Sequence, residues 1–149
     1  MIAAAVIAFA MATAPVSAPV NTPANAHNVK VNWMLNCQGC HQADATGSPG
    51  GAPNMAGLVS RFLTVEGGRE YLVRVPGVAT SPLDNEALAA LVNWMLVKFD
   101  PEHMPENFTP YTADEIAILR AHPLISDAGT VREKLIQSIL STDTTESKN

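Results

Sequence analysis

Where apolar residues recur along this chain, they do so at the period of an α-helix, and no stretch alternates as a half-buried strand would. The broadest stripe is Leu83, Ala87, Leu88, Leu91, Val92, Met95, Leu96 and Phe99. Ser81-Pro82-Leu83-Asp84 predicts its start: serine caps, proline takes the first helical position and Asp84 completes a capping box. Asp100-Pro101 predicts its end. Val29, Trp33 and Cys37 share one face of a shorter helix over Val29–Cys37, and Arg69–Val75 forms another between Gly67-Gly68 and Pro76-Gly77. Thr112-Ala-Asp-Glu115 opens a helix to about Ala121, ended before Pro123. Thr130-Val-Arg-Glu133 opens a last one carrying Leu135, Ile136, Ile139 and Leu140. The expected fold class is all-α.

Between these elements, residues 42–56 hold three glycines and two prolines and read as a long loop, a feature that is usually functional. Residues 1–26 carry no charged side chain. The apolar run Ile2–Ala12 is too short for the roughly 20 residues a membrane span needs. It is followed by Ala24-Asn25-Ala26, which resembles a leader-peptidase cleavage site. Residues 1–26 are therefore expected to be a signal peptide, leaving no integral membrane segment after cleavage. The usual positive region before Ile2 is missing, so the true start is expected to differ from Met1. The remainder suits one domain over 27–140, helical beyond about residue 101 as a C-terminal extension, with a flexible tail over 141–149.

Charge narrows the class of partner. The formal net charge is −5, which argues against nucleic acid and favours a basic patch on a protein partner. From Pro82 to Glu115 the acids Asp84, Glu86, Asp100, Glu102, Glu106, Asp114 and Glu115 are balanced only by Lys98.

The chemistry concentrates in Cys37-Gln38-Gly39-Cys40-His41. Two thiols three positions apart, with histidine next, match the C-x-x-C-H pattern for covalent haem attachment. Cys37 and Cys40 would form thioethers to the two vinyl groups, and His41 would supply a neutral imidazole as proximal iron ligand. Three plainer readings compete. A structural zinc site needs four ligands, and this chain has two cysteines and scattered histidines. A thioredoxin-like pair should follow a strand. A disulfide across two intervening residues closes a tight, strained ring.

Two further stretches carry a family resemblance. Ala52-Pro53-Asn54-Met55-Ala56-Gly57-Leu58-Val59-Ser60-Arg61 resembles the P-N-L-x-G-L-x-x-R segment that follows the haem motif in class I cytochromes c. Ala90–Leu96, with Trp94, resembles that family's C-terminal helix, whose aromatic residue packs against the first helix. The resemblance runs from about Asn28 to Phe99. It implies a cytochrome c-like helical fold around one covalently bound haem c, with extra C-terminal helices. It also implies that the Pro53 carbonyl orients His41 and that Arg61 offsets a haem propionate, contacts that tune the metal.

The family's methionine ligand is expected around Val75-Pro76, where this chain has none. Met104-Pro105 supplies the right dipeptide, so Met104 is the expected distal ligand. His103 and an open five-coordinate iron are its rivals. The implied role is a periplasmic electron-transfer protein, not an enzyme, carrying single electrons from a donor dehydrogenase towards an acceptor. A haem protein with an open distal site for small ligands or weak peroxidatic activity, and a relay subunit of a larger redox complex, are the competing readings.

Overall fold

The computed structural model describes the backbone of residues 23–146 and the side chains of 28–142. Residues 1–22 of the leader expected over 1–26, its cleavage-site side chains and the tail side chains from 143 onward lie outside the described residues. The described chain is helical and contains no strand. Helix α1 (Pro23–Asn36) runs almost directly into a one-turn helix α2 (Gln38–His41), because the Cys37 amide still bonds the Trp33 carbonyl at 2.9 Å. After the loop, 3₁₀ turns cover Val59–Thr64. Helices α3 (Gly68–Arg74) and α4 (Pro76–Ala79) follow, split at Val75 because Pro76 cannot continue the ladder. Helix α5 (Asn85–Phe99), a 3₁₀ turn (Pro101–His103), α6 (Ala113–Arg120) and α7 (Ala128–Glu146) complete the order.

Helix α5 is the spine. It packs against α1 on one side and α6 on the other, while α7 lies against α3 and the Val59–Thr64 turns. Leu88, Leu91, Val92, Met95 and Leu96 of the predicted stripe are buried, and Ile116 and Ile139 bring α6 and α7 to the same core. The aromatic contact expected between the first and fifth helices is present: Trp33 lies 6.1 Å from Trp94 and 4.7 Å from Phe99, ring centre to ring centre. Trp33 is 2% exposed, so its indole is the pin on which α1 and α5 cross.

Several boundaries differ from the sequence expectation. Helix α5 begins later than Ser81 suggests: Asp84 is the N-cap, its carboxylate accepting the Ala87 amide at 2.8 Å. The residues before it are held from a distance. Arg120 donates to the carbonyls of Ala79 (3.1 Å), Ser81 and Leu83 (2.8 Å) and to the Asn85 side chain (3.2 Å). With those carbonyls taken by a guanidinium, the segment is a strapped turn instead of a first helical turn. Helix α6 starts as expected, the Thr112 hydroxyl accepting the Glu115 amide at 3.2 Å. Helix α7 starts at Ala128, ahead of the Thr130 cap, and its backbone stays helical to Glu146, past the expected end at Leu140.

Asp100 is also not part of an acidic surface. It is 1% exposed, accepting the Ser60 amide at 2.8 Å and meeting His103 Nδ1 at 2.5 Å. With Gly57 donating to the Phe99 carbonyl and the Ser60 hydroxyl to that of Leu96, the end of α5 anchors the chain leaving the long loop. Glu115 is likewise engaged, by the Arg69 guanidinium at 2.6 and 2.8 Å. Arg69 lies over the Tyr111 ring at 4.0 Å.

Candidate functional site

A cavity of about 470 Å³ opens beside the α1–α2 junction, within the range of cofactor sites. Cys37, Cys40 and His41 all line it, together with Pro53 and Met55 of the loop. Leu72, Val75, Pro76 and Val78, from α3, α4 and the residue between them, form an apolar wall, and Gly129 and Arg132 reach it from α7. A larger, more open groove of about 710 Å³ between α1 and α5 carries no thiol or imidazole. It is therefore not the site of this chemistry.

The local fold explains how the motif is presented. The α1 ladder continues through Cys37 into a single turn, closed by the His41 amide on the Cys37 carbonyl at 3.0 Å. Both sulfurs therefore leave one turn of chain. Cys37 is half-buried and Cys40 exposed, and neither forms a disulfide. Burial pushes the Cys37 thiol above its ordinary pKa, with the Cys40 sulfur adding to the effect. Among the described residues, no three His, Cys, Asp or Glu side chains come together to hold a metal ion.

The loop then folds back under His41. Gln42 and Ala45 adopt positive φ (67° and 62°), as does Gly47 (72°). Gly47 donates to the His41 carbonyl at 2.9 Å. A side chain at Gly47 would run into the backbone of Ala52 and Pro53. Glycine here therefore serves both the turn and the close approach. Ala45, fully buried, accepts the Met55 amide at 2.9 Å. These bonds place Pro53 beside the imidazole. Burial lowers the His41 pKa, and the facing Pro53 carbonyl partly offsets it. His41 Nδ1 is nonetheless buried without a partner at full hydrogen-bond geometry. The carbonyl is close enough to act electrostatically yet short of an aligned bond.

That orphaned nitrogen is informative. An imidazole kept neutral by burial, with a carbonyl near its Nδ1, is arranged to ligate a metal through its other nitrogen. Trp33 backs the ring at 6.1 Å. The cavity, the two unpaired thiols at its edge and this histidine fit a covalently attached haem.

The other predicted residues are distributed less simply. Pro53 lines the cavity together with His41. Arg61 is half-buried in the Val59–Thr64 turns and does not line the cavity. Arg132, which sequence reasoning passed over, does line it. Its guanidinium lies 5.9 Å from the Phe62 ring centre and acts on the Tyr71 hydroxyl. Only the R-x-x-L-x-x-x-I spacing that buries Leu135 and Ile139, and so sets which way Arg132 points, hinted at this. Met104 does not reach the cavity: it follows the Pro101–His103 turn and packs half-buried against the core, while its neighbour His103 is held by Asp100.

No family model matches the chain. It is, however, 36% identical over 106 residues to cytochrome c-552 of Thermus thermophilus, covering 81% of that protein and 59% of this chain. A second cytochrome c-552 of the same species is also 36% identical over 106 residues, which is 72% of its length. An all-α haem-binding fold with a C-x-x-C-H turn at its cavity defines a cytochrome of the c type. The chain belongs to the c-type cytochromes, electron-transfer proteins with covalently bound haem c.

Proposed function

We propose that this chain is an exported, periplasmic cytochrome that binds one haem and carries single electrons from a donor dehydrogenase towards a terminal acceptor. The observation that carries this reading is the convergence of Cys37, Cys40, His41 and Pro53 on one apolar cavity. In it, Cys37 and Cys40 hold the haem, His41 is the proximal ligand and Pro53 orients the ring. The bound group supplies an iron centre that cycles between Fe(II) and Fe(III). The chain's own contribution is a low-dielectric pocket, fixed proximal geometry and a surface on which partners dock.

Arg132, by its place in the cavity, takes the role first expected of Arg61 and offsets the charge of a haem propionate. No helix of the described residues is long and apolar enough to cross a membrane, and the leader over 1–26 provides the export signal. The reading is tested by expressing the full chain in a host that matures c-type cytochromes, then fractionating the cells and recording voltammetry of the product. A periplasmic protein giving one reversible one-electron wave per chain is the expected result. A cytoplasmic product, or more than one wave per chain, would refute it.

A further inference from the structure

Helix α1 divides the surface around its crossing with α5 into two sides. With Trp33 turned towards α5, the helical step of roughly 100° per residue sends Asn28 and Asn32 to one flank and Lys30 and Met34 to the other. The first flank, with Glu86, Ala87, Ala90 and Asn93, walls the groove between α1 and α5. The first half of α5 therefore lies on that side of α1. Its last turn, past the Trp33–Trp94 contact, emerges on the side to which Lys30 and Met34 point.

On that side Met34 is 52% and Val97 57% exposed, with exposed Lys98 next to Val97 and half-buried Trp94 one turn before. Large apolar side chains left together in water mark a contact surface. The local charge is opposite to that of the whole chain. Helix α1, and α5 from Asn93 onward, carry Lys30 and Lys98 and no acid. Asp100 is buried, and Glu102 lies on the following turn.

A run of aromatic rings joins this surface to the proximal histidine. His41 to Trp33 is 6.1 Å, Trp33 to Trp94 6.1 Å, Trp33 to Phe99 4.7 Å and Trp94 to Phe99 5.5 Å, ring centre to ring centre. Trp33 is sealed from water, whereas Trp94 and Phe99 are half-buried and reach the surface.

We propose that the α1–α5 crossing is an electron-exchange face, where Lys30, Met34, Val97 and Lys98 dock a redox protein whose contact surface is apolar and rimmed by carboxylates. Trp33 and Trp94 bridge that surface to His41. One electron lost by the partner is gained by the iron, or the reverse, tunnelling across the packed rings; no ring is itself oxidised and no proton moves. The apolar pair supplies the contact and the lysines select the sign of the partner. This rests on the haem reading above, and it assigns this face a partner of opposite sign to the one the net charge suggests.

The test places the full haem-loaded chain on gold electrodes coated with methyl-terminated thiols mixed with either carboxylate- or amine-terminated ones. The carboxylate layer imitates the partner. Exchange is expected to be faster on it than on the amine layer, which attracts the acidic groove side. Met34→Glu and Lys98→Glu should each weaken adsorption to the carboxylate layer about tenfold. Ile118→Glu, at a comparably exposed apolar residue of α6, should leave it unchanged. Trp94→Leu should adsorb as the native protein does, with the same reduction potential, yet exchange electrons several-fold more slowly, and Trp94→Phe should restore most of the rate. Faster exchange on the amine layer would overturn the proposal, as would an equal loss of adsorption in Ile118→Glu. An unaltered rate in Trp94→Leu would also overturn it, moving exchange to the haem edge at Cys40. A chain without haem, read from its mass, refutes the proposed function instead.

Discussion

Replacing Trp33 tests how the haem-bearing turn is tied to the rest of the molecule. Trp33 is 2% exposed and touches Phe99, Trp94 and His41, so it joins α1, α5 and the proximal histidine in one cluster. A buried tryptophan removes roughly 150–250 Å² from water. At about 25 cal/mol per Å² this is worth up to about 4–6 kcal/mol. Truncation to alanine is therefore expected to cost about 3–5 kcal/mol, a large part of the roughly 5–15 kcal/mol that holds a domain together. The indole nitrogen, by contrast, is buried without a partner. Trp33→Phe forfeits area but no hydrogen bond, and should cost about half as much or less. Guanidinium denaturation of the haem-loaded protein, followed by far-ultraviolet circular dichroism with the slope held constant, measures both. A cost under about 1 kcal/mol for Trp33→Ala, or equal costs for the two variants, would refute the argument.

Other outcomes follow from the same contacts. Asp84→Ala should lose about 1 kcal/mol of stability while Ser81→Ala loses little, since only Asp84 caps α5; thermal melts distinguish them. Arg120→Ala releases three carbonyls and an amide oxygen at once, and should cost about 2–3 kcal/mol together with faster amide hydrogen exchange over residues 79–85. Arg132→Gln should lower the reduction potential, because removing a cation from the cavity disfavours the reduced, less positive centre. Arg61→Gln, outside the cavity, should change it less. Protein-film voltammetry reads both shifts.

Much of this molecule was legible from local sequence. The thiol-histidine turn is contiguous, so its chemistry needed no tertiary information. The α5 stripe follows from periodicity, and the Trp33–Trp94 contact is what the resemblance of Ala90–Leu96 to the family's C-terminal helix implies. What escaped depends on residues far apart in the chain. Ser81 and Asp84 are both competent caps, and the choice between them is made by Arg120, which occupies the Ser81 and Leu83 carbonyls. Asp100 reads as a surface acid that ends a helix, yet Ser60 and His103 draw it inside. Spacing after His41 suggested Met104 as the iron ligand, but distance along the chain does not say which wall a residue joins. Arg132 reaches the cavity only because α7 lies over α3 and the Val59–Thr64 turns.

The account rests most directly on covalent attachment of one haem at Cys37 and Cys40. Intact-mass spectrometry of the purified, denatured protein, with its Cys37→Ser/Cys40→Ser counterpart, decides it. The predicted result is a chain carrying the mass of one haem that survives denaturation and disappears in the double variant. A haem-free chain from a host that matures other c-type cytochromes, or haem retained without the two cysteines, would contradict it.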